Sequence, residues 1–109
     1  MNLFLAAQVK NYHAQMEGQY VIAEGNVNGF PIWNQRHGDN AIWFQKSWYE
    51  GWTVGHVEYL GQDYAGIIGP NGITAWPTHI SSGYFWDGSN WQSATESTLK
   101  FEDCKSANL

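Results

Sequence analysis

At 109 residues the chain is sized for one domain, long enough to bury a core without metal or disulfide staples. Aromatic residues make up 17% and charged ones only 14%, against a typical charged share of roughly 25%, which argues against a disordered or coiled-coil protein. A formal net charge of −5 with five Lys+Arg, scattered at Lys10, Arg36, Lys46, Lys100 and Lys105, makes nucleic acid a poor partner, because phosphate contacts need clustered cations.

Residues 1–17 stand apart from the rest. Leu5, Val9, Tyr12 and Met16 follow a helical spacing that Gly18 would stop. They predict a short helix laid over an open end of a sheet, either as core cover or as an arm for a partner. Residues 18–109 form the predicted tryptophan-rich β domain. Gln19 to Ala23 is a β-prone run, and Asn28-Gly29 is a tight-turn dipeptide because both residues tolerate positive φ. Phe30 to Gln35, Ala41 to Lys46 and Trp52 to Glu58 follow as strands, the second with apolar groups on both faces. Beyond Gly61, strands are expected at Tyr64 to Ile68, Ile73 to Trp76, Gly83 to Asp87, Asn90 to Ser93 and Ser97 to Glu102. A hairpin is expected at Asp87-Gly88-Ser89. Turn signals about every ten residues predict an all-β antiparallel barrel or sandwich of about eight strands.

An internal repeat supports this reading. Trp33 and Trp76, Trp43 and Trp86, and Trp48 and Trp91 each stand 43 positions apart, as do Asn28-Gly29 and Asn71-Gly72. The spacing predicts a weak internal two-fold, with units at about 18–60 and 61–103.

Cys104 is the lone cysteine, so no intrachain disulfide can form. With no basic leader before the apolar start, and no apolar run near the roughly 20 residues of a membrane span, a soluble intracellular protein is expected. No cofactor is implied. His13, His37, His56 and His79 make no metal-ligand spacing. Glu50 and Asp87 could face each other across a cleft as a glycosidase pair would, but no carboxylate pair is recognisably set for acid–base work. Nucleophile-elbow and phosphate-loop patterns are absent, and catalysis is not expected.

The aromatic residues therefore carry the chemistry. An indole offers a flat electron-rich face and one N–H donor, suited to stacking on a sugar ring while amides and carboxylates bind its hydroxyls. Trp43 and Trp86, flanked by apolar neighbours, are expected in the core, as are Trp52 and, less strictly, Trp33 and Trp76. Trp48 and Trp91, beside turns, are expected to face outward. The candidate ligand-binding residues are thus Trp48, Trp91, Asn90, Asp87, Asn34 and Gln35, in a non-catalytic, lectin-like module for carbohydrate. The alternative is a structural or assembly subunit that docks on protein through the same aromatics. A homo-oligomer would raise the avidity of either.

The ordered series Asn28-Gly29-Phe30-Pro31-Ile32-Trp33, Ala41-Ile42-Trp43-Phe44, Gly51-Trp52-Thr53-Val54-Gly55 and Trp86-Asp87-Gly88-Ser89-Asn90-Trp91 resembles small tryptophan-rich β modules of unknown function. Those modules occur in algal, protist and invertebrate proteins, and the likeness covers roughly residues 18–101. It implies an independently folding β module and carries over no activity.

Overall fold

A computed structural model describes residues 1–103 except 48, 73, 81 and 96. Among the described residues nine strands are found: β1 (Asn2–Leu5), β2 (Gly18–Val27), β3 (Phe30–Gln35), β4 (Asn40–Lys46), β5 (Glu50–His56), β6 (Ile67–Ile68), β7 (Ser82–Trp86), β8 (Trp91–Thr95) and β9 (Leu99–Glu102). They form one antiparallel sheet in the order β8-β7-β6-β5-β4-β3-β2-β1-β9. Each strand of this order pairs with its neighbour in the chain, except that β9 returns to β1.

β8 and β9 run in the same sense and are joined by a bend, closed by Thr98 N–H donating to Thr95 O at 2.8 Å. β7 pairs with the first piece and β1 with the second. Taken as one broken strand they complete an eight-stave meander, so the barrel is nearly closed. The expected fold class is the observed one.

The turns form where their residues allow. Asn28 and Gly29 adopt φ of 56° and 85°, the left-handed pair a two-residue hairpin requires, and Asn28 Nδ2 donates to Phe44 O at 2.8 Å. In the β7–β8 hairpin the Asp87 carboxylate accepts from the N–H groups of Ser89 (2.8 Å) and Asn90 (2.7 Å). The same carboxylate accepts from Gln92 Nε2 at 2.7 Å.

The N-terminal helix is present but shorter than its periodicity suggests. α1 (Ala7–His13) runs into a 3-10 turn at Ala14–Met16. Leu5, placed at the start of the helical spacing, instead ends β1, a strand the sequence pattern did not reveal. Leu3, Leu5, Val9 and Met16 join Tyr20, Ile42, Phe44, Trp52, Val54 and Phe85 in a single core, so the helix acts as cover for the barrel. No helix among the described residues is long and apolar enough to cross a membrane.

The expected 43-residue repeat is not matched strand for strand: residues 61–66, at the offset of the first part of β2, carry no strand. Where β3 would recur, residues 74–76 carry no strand and a 3-10 turn follows at Pro77–His79. Pro70 and Pro77 bracket this stretch and remove ladder donors. Trp76, expected as mainly core, is consequently 49% exposed.

A second layer lies outside the barrel. Trp43 is 0% exposed, yet it stands on the opposite face of β4 from the core residues Ile42 and Phe44. The segment 57–66 folds over it. That approach is close enough that a Cβ on Gly55 would meet Trp43 Cη2 at 3.0 Å and Tyr64 O at 3.1 Å. The Asp63 carboxylate pins the segment by accepting from Gln45 Nε2 and, at 2.7 Å, from Ser47 Oγ.

Candidate functional site

In an up-and-down meander, alternate connections share an end of the barrel. α1 with its 3-10 turn, loop 36–39, segment 57–66 and hairpin turn 87–90 therefore gather at one end. Between them opens a cleft of about 810 Å³, within the usual size of small-ligand sites.

One wall is aromatic. Trp86 and Trp91 are cross-strand partners at the ends of β7 and β8, with ring centroids 5.4 Å apart and planes at 66°. They are 38% and 36% exposed. Tyr12 from α1 and Tyr64 from segment 57–66 also line the cleft. Tyr64 lies 4.3 Å from the Tyr59 ring, which props it from behind. The neighbouring Glu58 carboxylate raises the Tyr59 phenol above its ordinary range, so it stays protonated.

The other wall is polar. His37, Asp39 and Asn40 come from the β3–β4 turn, Gln45 and His56 from β4 and β5, and Asp63 from the segment above. His56 Nδ1 accepts from Glu58 N–H at 3.2 Å. Among the described residues, neither His37 nor Asp39 has a side-chain hydrogen-bond partner, and both are exposed. The indole N–H groups of Trp86 and Trp91 are likewise unengaged. These are the groups available to a ligand.

The floor is fixed by close packing of α1 on the strands. His13 Nε2 lies 2.7 Å from Trp86 O. A Cβ on Gly66 would meet the His13 ring at 2.6 Å and Met16 Cε at 2.8 Å. Glycine at 66 thus lets the helix seat directly behind Trp86.

The sequence-derived candidates divide sharply. Trp91 lines the cleft as expected. Asp87 and Asn90 form the turn beneath it, and the hydrogen bonds from Asn90, Gln92 and Ser89 hold the Asp87 carboxyl below its usual range. Asn34 is exposed on β3 opposite Val21 and Ala41, away from the cleft lining. Gln35 is internally committed. Its Nε2 donates to Gln15 O (2.8 Å) and Glu17 O (3.1 Å), while its Oε1 accepts from Asn40 N (3.2 Å) and Nδ2 (2.8 Å). Trp48 and Cys104 lie outside the described residues.

Trp86, expected in the core, is instead a wall of the cleft. Its apolar flanks Tyr84 and Phe85 misled, because alternation along β7 buries Phe85 while leaving Tyr84 and Trp86 on the open face. Glu50 begins β5 at the opposite end of the barrel from Asp87, so these two carboxylates do not share a cleft. Among the described residues no group of three His, Cys, Asp or Glu side chains is placed to hold a metal ion. Comparisons with known protein families, curated proteins and solved structures find no match.

Proposed function

We propose that the protein is a non-catalytic binding module that recognises carbohydrate in the cleft at the helix-covered end of the barrel. The observation that carries this is the pairing of two half-exposed indoles, Trp86 and Trp91, with unengaged polar side chains in one cavity of about 810 Å³. One indole face stacks on the apolar C–H face of a sugar ring. His37, Asp39 and the free indole N–H groups take its hydroxyls. Asp87, Asn90 and Gln35 serve as positioning residues that hold the walls.

The test is a fluorescence titration of the purified protein against soluble glycans, with Trp91→Ala and Trp86→Ala as controls. Binding is expected in the parent and lost in both variants while their far-UV spectra stay unchanged. A blank response across a broad glycan array from folded protein overturns the proposal.

A second reading, docking on protein, has its own support elsewhere on the surface. Ile22, 66% exposed, is the cross-strand partner of Trp33, which in turn contacts the exposed Trp76 edge-on at 5.7 Å. Apolar neighbours of this kind mark protein contacts. Co-purification with another chain, abolished by Ile22→Lys, would favour it.

A further inference from the structure

Within the carbohydrate reading, on which this inference rests, the charge of the cleft narrows the ligand. No Lys or Arg is found among the described residues that line it. Arg36, the cation nearest in sequence to the polar wall, is turned to Gln19 Oε1 at 3.1 Å. Lys10 is held by Glu17 at 3.0 Å. Two carboxylates do line the cleft, and among the described residues neither is neutralised by a cation. Asp63 is satisfied by the uncharged donors Gln45 and Ser47. Asp39 has no side-chain partner among the described residues. The aromatic wall adds to this bias, because indole faces carry negative quadrupole density and attract cations.

We infer that the cleft selects amino sugars whose nitrogen is protonated, over neutral sugars, and rejects uronic or sulfated ones. The ammonium would sit between the Asp39 side and an indole face, while the ring of the same residue stacks on Trp86 or Trp91. His13, His37 and His56 also face the cleft and oppose a cation when they are protonated. Comparisons between ligands therefore belong at one fixed pH, below the pKa of the sugar amine.

The experiment measures affinity for four probes by calorimetry or fluorescence: a β-1,4-linked glucosamine tetramer, its N-acetylated counterpart, a β-1,4-glucose tetramer and a galacturonate tetramer. An exposed charge pair and an exposed cation–π contact each contribute up to about fivefold in affinity. The glucosamine tetramer should therefore bind about five- to twentyfold tighter than the neutral ones, with the galacturonate weakest. Asp39→Asn, an exposed substitution, should cut that preference by about two- to fivefold, as should raising the salt concentration. Neutral tetramers that bind as tightly as the amine, with loss in Trp91→Ala, overturn the charge inference and leave the carbohydrate reading standing. Tightest binding of the galacturonate has the same meaning. Silence from all four saccharides overturns both.

Discussion

Two tryptophan clusters occupy this small barrel, and they differ in what surrounds them rather than in composition. At the end that holds turn 28–29 and the start of β5, Trp52 is clamped from every side. Phe30, Phe44 and Trp33 meet it edge-on at 5.6, 5.4 and 5.6 Å, Trp76 stacks at 6.4 Å, and its Nε1 donates to Ala75 O at 2.7 Å. At the helix-covered end, Trp86 and Trp91 have chiefly each other, and among the described residues their N–H groups have no partner. The same side chain is thus a keystone of packing in one place and, in the proposed function, a recognition surface in the other. Burial marks the first role, with the N–H satisfied at Trp52 and without a partner among the described residues at Trp43; a shared open face marks the second.

The widest gap between the clusters should appear in stability. Trp52 is 1% exposed, and truncating a buried Trp costs about 3–5 kcal/mol. Trp52→Ala should therefore unfold or nearly unfold the protein in a denaturant titration. Trp91→Ala loses a half-exposed ring and one aromatic pair, about 1 kcal/mol, and should keep a cooperative transition. If both variants lost similar stability, the division into packing and recognition clusters would be void.

Gln35 offers the next sharpest contrast, since the sequence suggests a ligand contact and the structure makes it a clasp. It joins the α1 segment to the β3–β4 turn through both ends of its amide. Gln35→Ala removes four part-buried or exposed hydrogen bonds and should cost about 1–2 kcal/mol. Affinity per folded molecule should fall only modestly, because the clasp touches no ligand and acts through Asn40 of the polar wall. Calorimetry on the folded fraction separates these outcomes.

The helix cover has an acid-sensitive anchor. Partial burial works against ionisation of Glu17, but the hydrogen bond from Leu5 N–H at 2.8 Å and the Lys10 ammonium overcome it. Its carboxyl therefore sits below the ordinary range. A carboxyl depressed in the folded state contributes stability that is fully present above its unfolded pKa and lost as pH falls through the folded one. Glu17→Gln should remove about 1 kcal/mol at neutral pH and flatten the fall in stability just below the usual carboxylate range. The cleft end should respond more than the Trp52 cluster, since α1 covers only the former. Amide exchange along residues 7–16 against that in β4 checks this.

Much of the architecture was legible in residue patterns, and the losses have specific causes. Strand β3 and the turns at 28–29 and 87–90 follow directly from β-prone runs and from Asn-Gly and Asp-Gly chemistry. β1 was hidden because Leu3 and Leu5 alternate for only four residues beside a helical spacing that absorbed Leu5. The missing counterpart of β3 was hidden by the tryptophan offset, which survives in Trp76 although two flanking prolines have removed the strand. For the cleft, sequence found Trp91 but not Trp86, Tyr12 or Tyr64. Their grouping depends on which connections share a barrel end, and that is set by long-range pairing rather than by local pattern. A period-two count along Gly83 to Trp86 would have put Trp86 opposite Phe85, and it was the one local signal available.

The smallest effect concerns Asp87, and it tests whether the hairpin turn positions the recognition pair. Its carboxylate is held below the usual range by donors from Asn90, Gln92 and Ser89, so it remains ionised and bonded until well into acid. It is only partly buried, at a hairpin tip, and Asp87→Ala should leave the denaturation midpoint almost unmoved. What should change is local. The Ser89 and Asn90 amides lose their acceptor and exchange faster, and the near-UV signal from the Trp86–Trp91 pair, fixed at 66°, should weaken as the hairpin tip loosens. Acidification through the lowered pKa should produce the same loss in the parent protein, because protonation removes the charge that holds all three donors. Glycan affinity should fall modestly with the indole signal rather than independently of it. A variant that kept the Trp86–Trp91 signal yet lost binding would make Asp87 a direct ligand contact instead of a support for Trp91.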